Sequence, residues 1–367
     1  MVEYPLLFDY TILVKDNQHL FGKRIVIMNE KFLITGATGF LGRAVIVELM
    51  KQKKNITALV LKNDTLINHL PTGAEVVFGD VCDDQSLKHF FSNATRNTCV
   101  IHCAGIVSVA SHPGERLYKV NIGGTNNIIR YCEKYKVRKL IYVSSVHAIP
   151  EKPITAVIDE DAVFSPDKVR GDYAKSKAIA TSLAFEATAR GLDVSVIYPS
   201  GIIGPDDIGK GSITNMLIYY LSGKLPFAVK GGYDFVDVRD VAAGIVTCAE
   251  KGESGKGYIL SGNYATIRDI LNLAKAESGI ARDPLYLPIC FAKIAAPFVE
   301  KRNLRKKQPL YFTPYSIAVL KSNGKFNRSA AEARLGYSPR SLKSSISDTV
   351  RWIYNCALHP TFKKGFH

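Results

Sequence analysis

The sequence predicts an α/β fold, in which a doubly wound parallel sheet carries a smaller C-terminal α/β lobe. Three observations predict it. Apolar runs alternate with segments of helical periodicity from residue 31 to residue 200. The runs are almost continuously apolar, as in strands that helices cover on both faces. The first run leads directly into a glycine-rich turn, GATGFLG (36–42), which opens a helix.

The elements of the sheet follow one another in a regular order. Helical periodicity over 43–54 places apolar residues 45, 46, 49 and 50 on one face, and the helix over 173–191 ends at a glycine. The expected strands are 32–35, 56–61, 74–80, 98–105, 139–145 and 193–201, and the expected helices between them are 43–54, 83–91, 121–135 and 173–191.

The pattern loosens after residue 200. A strand is expected to run into a helix over 235–252, followed by a strand over 257–262 and a helix over 266–279. We expect this part to form the second lobe over the carboxyl ends of the strands, where open parallel sheets bind ligands. Residues 1–27 have a weak pattern. For them we expect either that Met28 is the natural start or that 1–27 is an added strand-like arm.

Length and composition narrow the class of protein. The chain has 367 residues, 47% of them hydrophobic and 22% charged, which suits one large or two modest globular domains. It has no run of about 20 apolar residues that could span a membrane and no signal-peptide pattern near its start. The seven cysteines are scattered without a CxxC motif, so we expect reduced thiols, a cytoplasmic location and no metal site.

Positive charge is concentrated near the C-terminus. The net charge is +15, and residues 301–367 contain 14 Lys and Arg against two acidic residues. Such a region could meet nucleic acid, an anionic membrane face or an acidic substrate, or be a solvated surface. No recognisable nucleic-acid motif is present, so no nucleic-acid partner is expected. The apolar segment 285–298, followed by KRNLRKK (301–307), could line a substrate site, dock weakly on a membrane or form ordinary core with a basic loop.

The glycine turn predicts a dinucleotide site. Gly36 permits the tight turn, Gly39 lets the backbone approach a pyrophosphate, and Gly42 allows close packing of helix and sheet. The helix start offers free N–H groups to phosphate. Other residues expected at the cofactor are Thr38, Phe40 and Leu41 in the turn, Asp80 and Val81 after the third strand, and Ala104 and Gly105 after the fourth.

The end of the second strand favours NADP over NAD. No acidic residue follows Val60 and Leu61 until Asp64, whereas Lys62 suits a 2′-phosphate and Arg43 could help. The alternative is that Lys62 only points to water. Further along the chain, Tyr173 and Lys177 are four residues apart in YAKSK, so they share one face of a helix.

Four motifs agree in order and spacing: TGATGFLG, GDV, YVSS and YAKSK. Together they resemble those of the extended short-chain dehydrogenase/reductases, and the resemblance covers nearly the whole chain from residue 30. The segments VNIGGTNNII (120–129), YPSGIIGP (198–205), GGYDFVDVRDVAAG (231–244), YILSG (258–262) and RLGYSPRSL (334–342) are similar to those of dihydroflavonol-4-reductase-like and 3-beta-hydroxysteroid-dehydrogenase-like proteins. Sugar epimerases of the NAD-dependent epimerase/dehydratase superfamily share much of this pattern.

The resemblance implies roles for individual residues. Tyr173 would be the general acid/base, and Lys177 would favour its phenolate and hold the nicotinamide ribose. Ser145, chosen over Ser144, would hydrogen-bond the substrate oxygen. Further implied roles are a proton relay or a structural role for Asn121, a border of the nicotinamide for Pro199 and Ser200, and substrate contact or a place in the loop for His147.

These roles imply a domain plan and a function. Residues 28–200 would form the NAD(P)-binding Rossmann domain, and 201–367 mainly the substrate lobe, with 235–262 returning to the sheet. The expected activity is NAD(P)-dependent reduction of a carbonyl or oxidation of a secondary alcohol. The alternatives are a nucleotide-sugar epimerase or dehydratase that retains its NAD(P), and a non-catalytic NADP(H) sensor. Proteins of this family often form homodimers.

Overall fold

The computed structural model describes residues 30–358, apart from residues 281 and 309. The two alternatives for residues 1–27 concern a segment outside the described residues. Within the described part of the chain, no helix is long and apolar enough to cross a membrane. All seven cysteines lie in this part, and all are free thiols.

The main sheet has seven parallel strands, as the sequence predicts. The strand order reverses at the first strand, because the second strand lies on one side of it and the fourth on the other. Ligands of open α/β sheets bind at such a switch point. In spatial order the strands are β10 (Lys256–Leu260), β6 (Val194–Pro199), β5 (Lys139–Val143), β4 (Thr98–His102), β1 (Lys31–Thr35), β2 (Asn55–Val60) and β3 (Glu75–Phe78).

Helices cover both faces of this sheet. In β1, Phe32 and Ile34 pack on one face and Leu33 packs on the other, and all three are completely buried. The face of Phe32 is covered by α1 (Phe40–Lys51), α7 (Val238–Lys251) and α11 (Ser329–Leu335); the face of Leu33 is covered by α2 (Asp84–Phe90), α4 (Thr125–Tyr135) and α5 (Asp172–Ala189).

The helix expected over 121–135 begins earlier than predicted. It continues from the short helix α3 (Glu115–Tyr118) through a π-helical turn over Lys119–Gly124 into α4. Such wide turns are frequent at functional sites. This one brings Asn121 to the carboxyl ends of the strands.

The second lobe is built on two small sheets. β7 (Gly201–Ile203) and β11 (Asn263–Thr266) flank β9 (Gly232–Asp237), and β8 (Phe227–Val229) pairs with β12 (Leu285–Leu287). Its helices are α6 (Ser212–Leu221), α8 (Ile267–Ser278), α9 (Ile289–Arg305), α10 (Pro314–Val319) and α12 (Leu342–Leu358).

The segment 235–262 does not return to the main sheet as a whole. Only β10 joins that sheet, at its edge beside β6, and α7 packs on one face of it. β9 belongs instead to the small three-stranded sheet. Asp237 ends β9 and caps α7 by accepting a hydrogen bond from the backbone N–H of Arg239 at 2.9 Å. The end of β9 therefore fixes the small sheet to the main one.

Candidate active site

A cavity of about 510 Å³ lies over the carboxyl ends of the main strands and reaches into the second lobe. It brings together twelve of the eighteen predicted site residues: Gly36, Gly39, Phe40, Leu41, Gly42, Gly105, Ser145, His147, Tyr173, Lys177, Pro199 and Ser200. The other six do not line it: Thr38, Lys62, Asp80, Val81, Ala104 and Asn121.

Two glycines of the turn 36–42 have no room for a side chain. Gly36 has a φ of +68°, and a Cβ there would lie 2.6 Å from the backbone nitrogen of Ala104. A Cβ on Gly42 would lie 2.1 Å from the carbonyl oxygen of Gly36. The turn can therefore pack against β4 and α1 only with glycine at both positions.

The start of α1 fits the diphosphate of a dinucleotide. Gly39 precedes the helix without a side-chain cap, and Phe40, Leu41 and Gly42 form its first turn on the cavity wall. The first N–H groups of a helix have no acceptor within the helix, and the helix dipole favours an anion there. The residues present therefore fit the phosphates of NAD or NADP.

An acidic residue from beyond the end of β2 reaches the glycine turn. Thr38 donates a hydrogen bond to the Asp64 carboxylate at 2.5 Å, which places an acid against the turn. Arg43 is buried and donates to the backbone carbonyls of Thr38 and Asp206, so it is engaged with the protein itself. Lys62 is exposed. Asp64 thus lies against the turn, and the role of the exposed Lys62 in selecting NADP stays a prediction.

The loops after β3 and β4 are held by polar side chains. Asp80 accepts a hydrogen bond from the Cys82 backbone at 2.9 Å. Asn121 accepts from the Ile106 N–H at 2.7 Å, and donates to the Ile106 carbonyl and to Ser176, both at 3.0 Å. These contacts favour the structural role of Asn121, because its amide fixes the loop after β4 against α5.

The Ser, Tyr and Lys side chains meet at the floor of the cavity. Ser145 follows β5, and its hydroxyl lies near enough to the Tyr173 hydroxyl to lower the pKa of that phenol. Ser144 instead bonds Thr181 at 2.7 Å and lies away from Tyr173. Lys177, one turn beyond Tyr173 on α5, donates to the Val143 carbonyl at 2.8 Å. Ser145 is therefore the serine that faces the tyrosine.

Burial dominates the ionisation of this centre. It raises the pKa of Tyr173 to about 12, against the opposing effect of the hydrogen bond from Ser145. It lowers the pKa of Lys177 to about 8. In the cofactor-free protein, desolvation is therefore the largest effect on the pKa of Tyr173, and the expectation that Lys177 favours the phenolate stays a prediction. Tyr173 therefore carries its phenolic proton at neutral pH.

An aromatic cluster beside Tyr173 was not predicted as a unit. His147 stacks on Tyr233 with ring centroids 5.4 Å apart and planes 4° apart. Tyr173 and Tyr315 lie 6.2 and 6.1 Å from the same imidazole. Burial lowers the pKa of His147 to about 4, so it is neutral at pH 7. No local signal marks Tyr315, because it comes from the C-terminal lobe.

A second histidine was also missed. His102 ends β4 and is completely buried between the Thr35 and Thr125 hydroxyls, at 2.6 and 3.0 Å. Burial lowers its pKa to about 3, with Lys177 adding to the effect. It is a neutral hydrogen-bonded link between β1, β4 and α4, and the next residue, Cys103, lines the cavity.

The half of the cavity formed by the second lobe is apolar. Among the described residues of its wall, Lys177 is the only Lys or Arg, and Asp207 is the only carboxylate. Asp207 accepts hydrogen bonds from Gly211 at 2.7 Å and Thr214 at 2.6 Å. The apolar and aromatic residues on this side are Ile202, Ile213, Met216, Leu225, Phe227, Ala228, Val229, Tyr233, Phe235, Ile267, Tyr311, Phe312, Tyr315, Ile317, Val319 and Leu320.

Comparison with known proteins agrees with this geometry. The family described as "NAD dependent epimerase/dehydratase family" matches residues 32–261. Sterol demethylase protein B of Methylococcus capsulatus is 28% identical over 323 residues, which cover 87% of this chain and 97% of that protein. A putative dihydroflavonol 4-reductase of Synechocystis is 29% identical over 344 residues, 90% of this chain and 96% of that one. The crystal structure of gox2253 superposes with a TM-score of 0.76 at 28% identity, covering 89% of this chain and 98% of that one.

Proposed function

The chain belongs to the NAD dependent epimerase/dehydratase family, and we propose that it is an oxidoreductase that reduces an apolar carbonyl compound, or oxidises the matching secondary alcohol, with NAD(P). The observation that carries this proposal is the position of Ser145, Tyr173 and Lys177 at the floor of the cavity. The half of that cavity formed by the second lobe, which we call the substrate half, is apolar.

Each residue of the centre has one task in this reaction. Bound in the glycine turn, the nicotinamide cofactor would supply or accept the hydride. During reduction, the hydride adds to the carbonyl carbon, and the electron pair of the C=O double bond moves to oxygen. Tyr173 gives its phenolic proton to that oxygen, and Ser145 hydrogen-bonds the same oxygen. The phenolate then regains a proton from solvent, and alcohol oxidation follows the reverse course.

Lys177 and Asn121 hold this centre in position. Lys177 is 5% exposed and faces the cavity, where its ammonium can hold the ribose next to the nicotinamide. Asn121 holds the loop after β4, whose Gly105 lines the same wall. A Cβ on Gly105 would lie 3.4 Å from the Lys177 ammonium nitrogen, so this part of the wall is closely fitted.

The cavity wall supports a substrate of low charge that contains rings. Aromatic and aliphatic side chains form the substrate half, and burial keeps His147 neutral there. The Tyr315 hydroxyl is buried without a hydrogen-bond partner among the described residues, so it can orient a polar group of the substrate. Two relatives bear names that refer to a sterol and to a dihydroflavonol, which are ring compounds of this kind.

A nucleotide-sugar epimerase is the second candidate, and the description of the family favours it. It would use the same Ser145, Tyr173 and Lys177. Its substrate carries a diphosphate, which proteins bind with Arg, Lys or a helix N-terminus. In the described part of the wall, Lys177 is the one basic residue, and it belongs to the catalytic centre. A cofactor sensor without catalysis has less support, because the Tyr–Lys pair is intact.

The proposal is tested by turnover with a carbonyl panel. Purified protein is mixed with NADPH, and separately with NADH, and with ketosteroids, flavonoid ketones, small aldehydes and 4-keto nucleotide sugars. Absorbance of the reduced cofactor should fall with ring ketones and stay constant with the sugars. Conversion of a nucleotide sugar without net cofactor oxidation would replace the proposal with the epimerase.

A further inference from the structure

One face of α9 exposes large apolar side chains. Phe291, Ile294 and Phe298 are 63%, 69% and 74% exposed. Their spacing of three and four residues places them on one side of the helix. Single exposed apolar residues are ordinary, but a row of three on one helix face forms a contiguous patch, which marks an interaction surface. We name this row the apolar row of α9.

The same side of the helix ends in positive charge. Lys301, Arg302 and Arg305 continue the spacing of the apolar row, and Lys306 and Lys307 follow directly. All five are exposed, and none of them is in an ion pair with another described residue. We name these five residues the basic end of α9.

The opposite side of α9 is anchored to the cavity wall. Ala292 and Ala296 are completely buried and pack with Val229 and Ile317, which line the cavity. Glu300 is 6% exposed and accepts hydrogen bonds from the Ser111 backbone at 2.7 Å and its hydroxyl at 2.8 Å. The one acid in this stretch therefore faces inward, and the basic end has no carboxylate beside it on the outward face.

Exposed apolar residues continue at the rim of the cavity. Val107 and Phe227 line the cavity and are 74% and 52% exposed. Leu285, which is 62% exposed, pairs with Phe227 between β12 and β8. The loop that contains Val107 is the one that Ser111 ties to Glu300 of α9. The apolar row and the rim thus belong to one connected wall.

We propose that the apolar row and the basic end of α9 dock the protein on an anionic membrane surface. An amphipathic helix with aromatic residues and Lys or Arg lies at such an interface, where apolar area and anionic lipid both contribute to binding. The connected rim then presents the cavity to the membrane, from which an apolar substrate can enter. This entry route rests on the proposed function, whereas the docking itself does not.

Charge argues for lipid rather than a second copy of the chain as the occupant. A parallel pair of α9 helices would bring two basic ends together. An antiparallel pair would place each basic end on the partner's apolar row. Both arrangements are unfavourable, whereas anionic lipid head groups complement the five cations and the acyl region accepts the apolar row.

The test is co-sedimentation of the full chain with phosphatidylcholine vesicles, with and without phosphatidylserine. Binding is expected only to the vesicles that contain phosphatidylserine. The double variants Phe291→Ser/Phe298→Ser and Lys301→Glu/Lys306→Glu should each bind at least about tenfold more weakly. All four positions are exposed, so the fold should be retained.

Matched controls separate docking from general charge and apolar surface. Lys88→Glu/Lys256→Glu changes the charge equally at two exposed sites away from α9, and Val163→Ser removes a side chain that is 73% exposed. Neither control should alter binding. Lack of binding by the wild type, or equal weakening by the controls, would overturn the proposal. The proposal would also be overturned if the wild type were a dimer and the α9 variants became monomers that still bind lipid. Turnover is not needed for this readout, so failure of the proposed function would leave it unaffected.

Discussion

Replacing Lys177 with methionine should stabilise the cofactor-free protein while removing its activity. Burial lowers the pKa of Lys177 from 10.5 to about 8, so the folded state disfavours the charged ammonium. The buried ammonium therefore lowers the free energy of unfolding. The unfavourable contribution acts fully below about pH 8, and it disappears as the pH rises to about 10.5, where both states are neutral.

The magnitude follows from the same pKa values. At 1.36 kcal/mol per pKa unit, the difference between 10.5 and about 8 corresponds to about 3 kcal/mol. Methionine leaves the Val143 carbonyl without the hydrogen bond from Lys177, which offsets about 1 kcal/mol. The expected net gain at neutral pH is about 2 kcal/mol in the free energy of unfolding, or a rise of about 2.5 °C in Tm.

Thermal denaturation of the cofactor-free protein tests this at about pH 7 and about pH 10. The difference in Tm between Lys177→Met and the wild type should be positive at the lower pH and shrink at the higher one. Lys175→Met, a half-buried lysine on the same helix outside the cavity wall, is the control and should show no such pH dependence. A Tm for Lys177→Met that is lower than that of the wild type at neutral pH would refute the reasoning.

Three further predictions concern the pH profile, the cofactor and the turn. Burial raises the pKa of Tyr173 to about 12, so the rate of alcohol oxidation, which needs the phenolate, should rise with pH, whereas the rate of carbonyl reduction should not. Initial rates of both reactions, measured between about pH 6 and pH 9, check this. A rate optimum near the ordinary histidine pKa would contradict it. Lys62→Ala should weaken binding of NADPH more than that of NADH, measured by fluorescence titration, and equal losses would remove the role of Lys62. Gly42→Ala places a Cβ 2.1 Å from the Gly36 carbonyl oxygen and should lower stability by at least about 2 kcal/mol and weaken cofactor binding. Gly123→Ala, where a Cβ would meet nothing within 4 Å, is its control in both assays, and equal stability of the two variants would show that the turn can relax.

The sequence predicted the sheet because its signals are local. The strands of the main sheet lie within a few residues of the apolar runs. β4, β5 and β6 are buried along their whole length, whereas β3 at the edge of the sheet is largely exposed. The glycine turn was predictable for the same reason, because a tight turn and a helix start limit the residues that fit. The spacing of Tyr173 and Lys177 likewise fixes a shared helix face.

The remaining features depend on contacts between distant parts of the chain. Asp64 reaches the glycine turn through Thr38, 26 residues away, so the end of β2 alone did not show it. The stretch 235–262 divides between two sheets because β9 finds its partners in β7 and β11. Tyr315 reaches His147 from the C-terminal lobe. Pairings of this kind have no periodicity in the sequence.

The pKa shifts of Tyr173 and Lys177 could not be predicted from the sequence, because they depend on burial in the folded protein. The family resemblance implied a tyrosine activated by a neighbouring ammonium, whereas in the structure both groups are buried and desolvation shifts their pKa values in opposite directions. The sequence likewise left open whether the basic C-terminal region binds a partner, binds an acidic substrate or is a solvated surface. The structure places the five exposed Lys and Arg residues of 301–307 outside the cavity wall, which argues against them as ligands for a substrate diphosphate.

In the proposed reaction, Tyr173 transfers the proton to and from the substrate oxygen. The most direct test of this step compares the wild type with Tyr173→Phe. Turnover of the ring ketone identified with the carbonyl panel and binding of the cofactor are both measured for each protein. Tyr264→Phe removes a hydroxyl from a tyrosine that is 58% exposed and outside the cavity wall, and serves as the control. We expect turnover of Tyr173→Phe to fall by about 10²–10⁴-fold with cofactor affinity unchanged. Turnover equal to that of the wild type would contradict the mechanism.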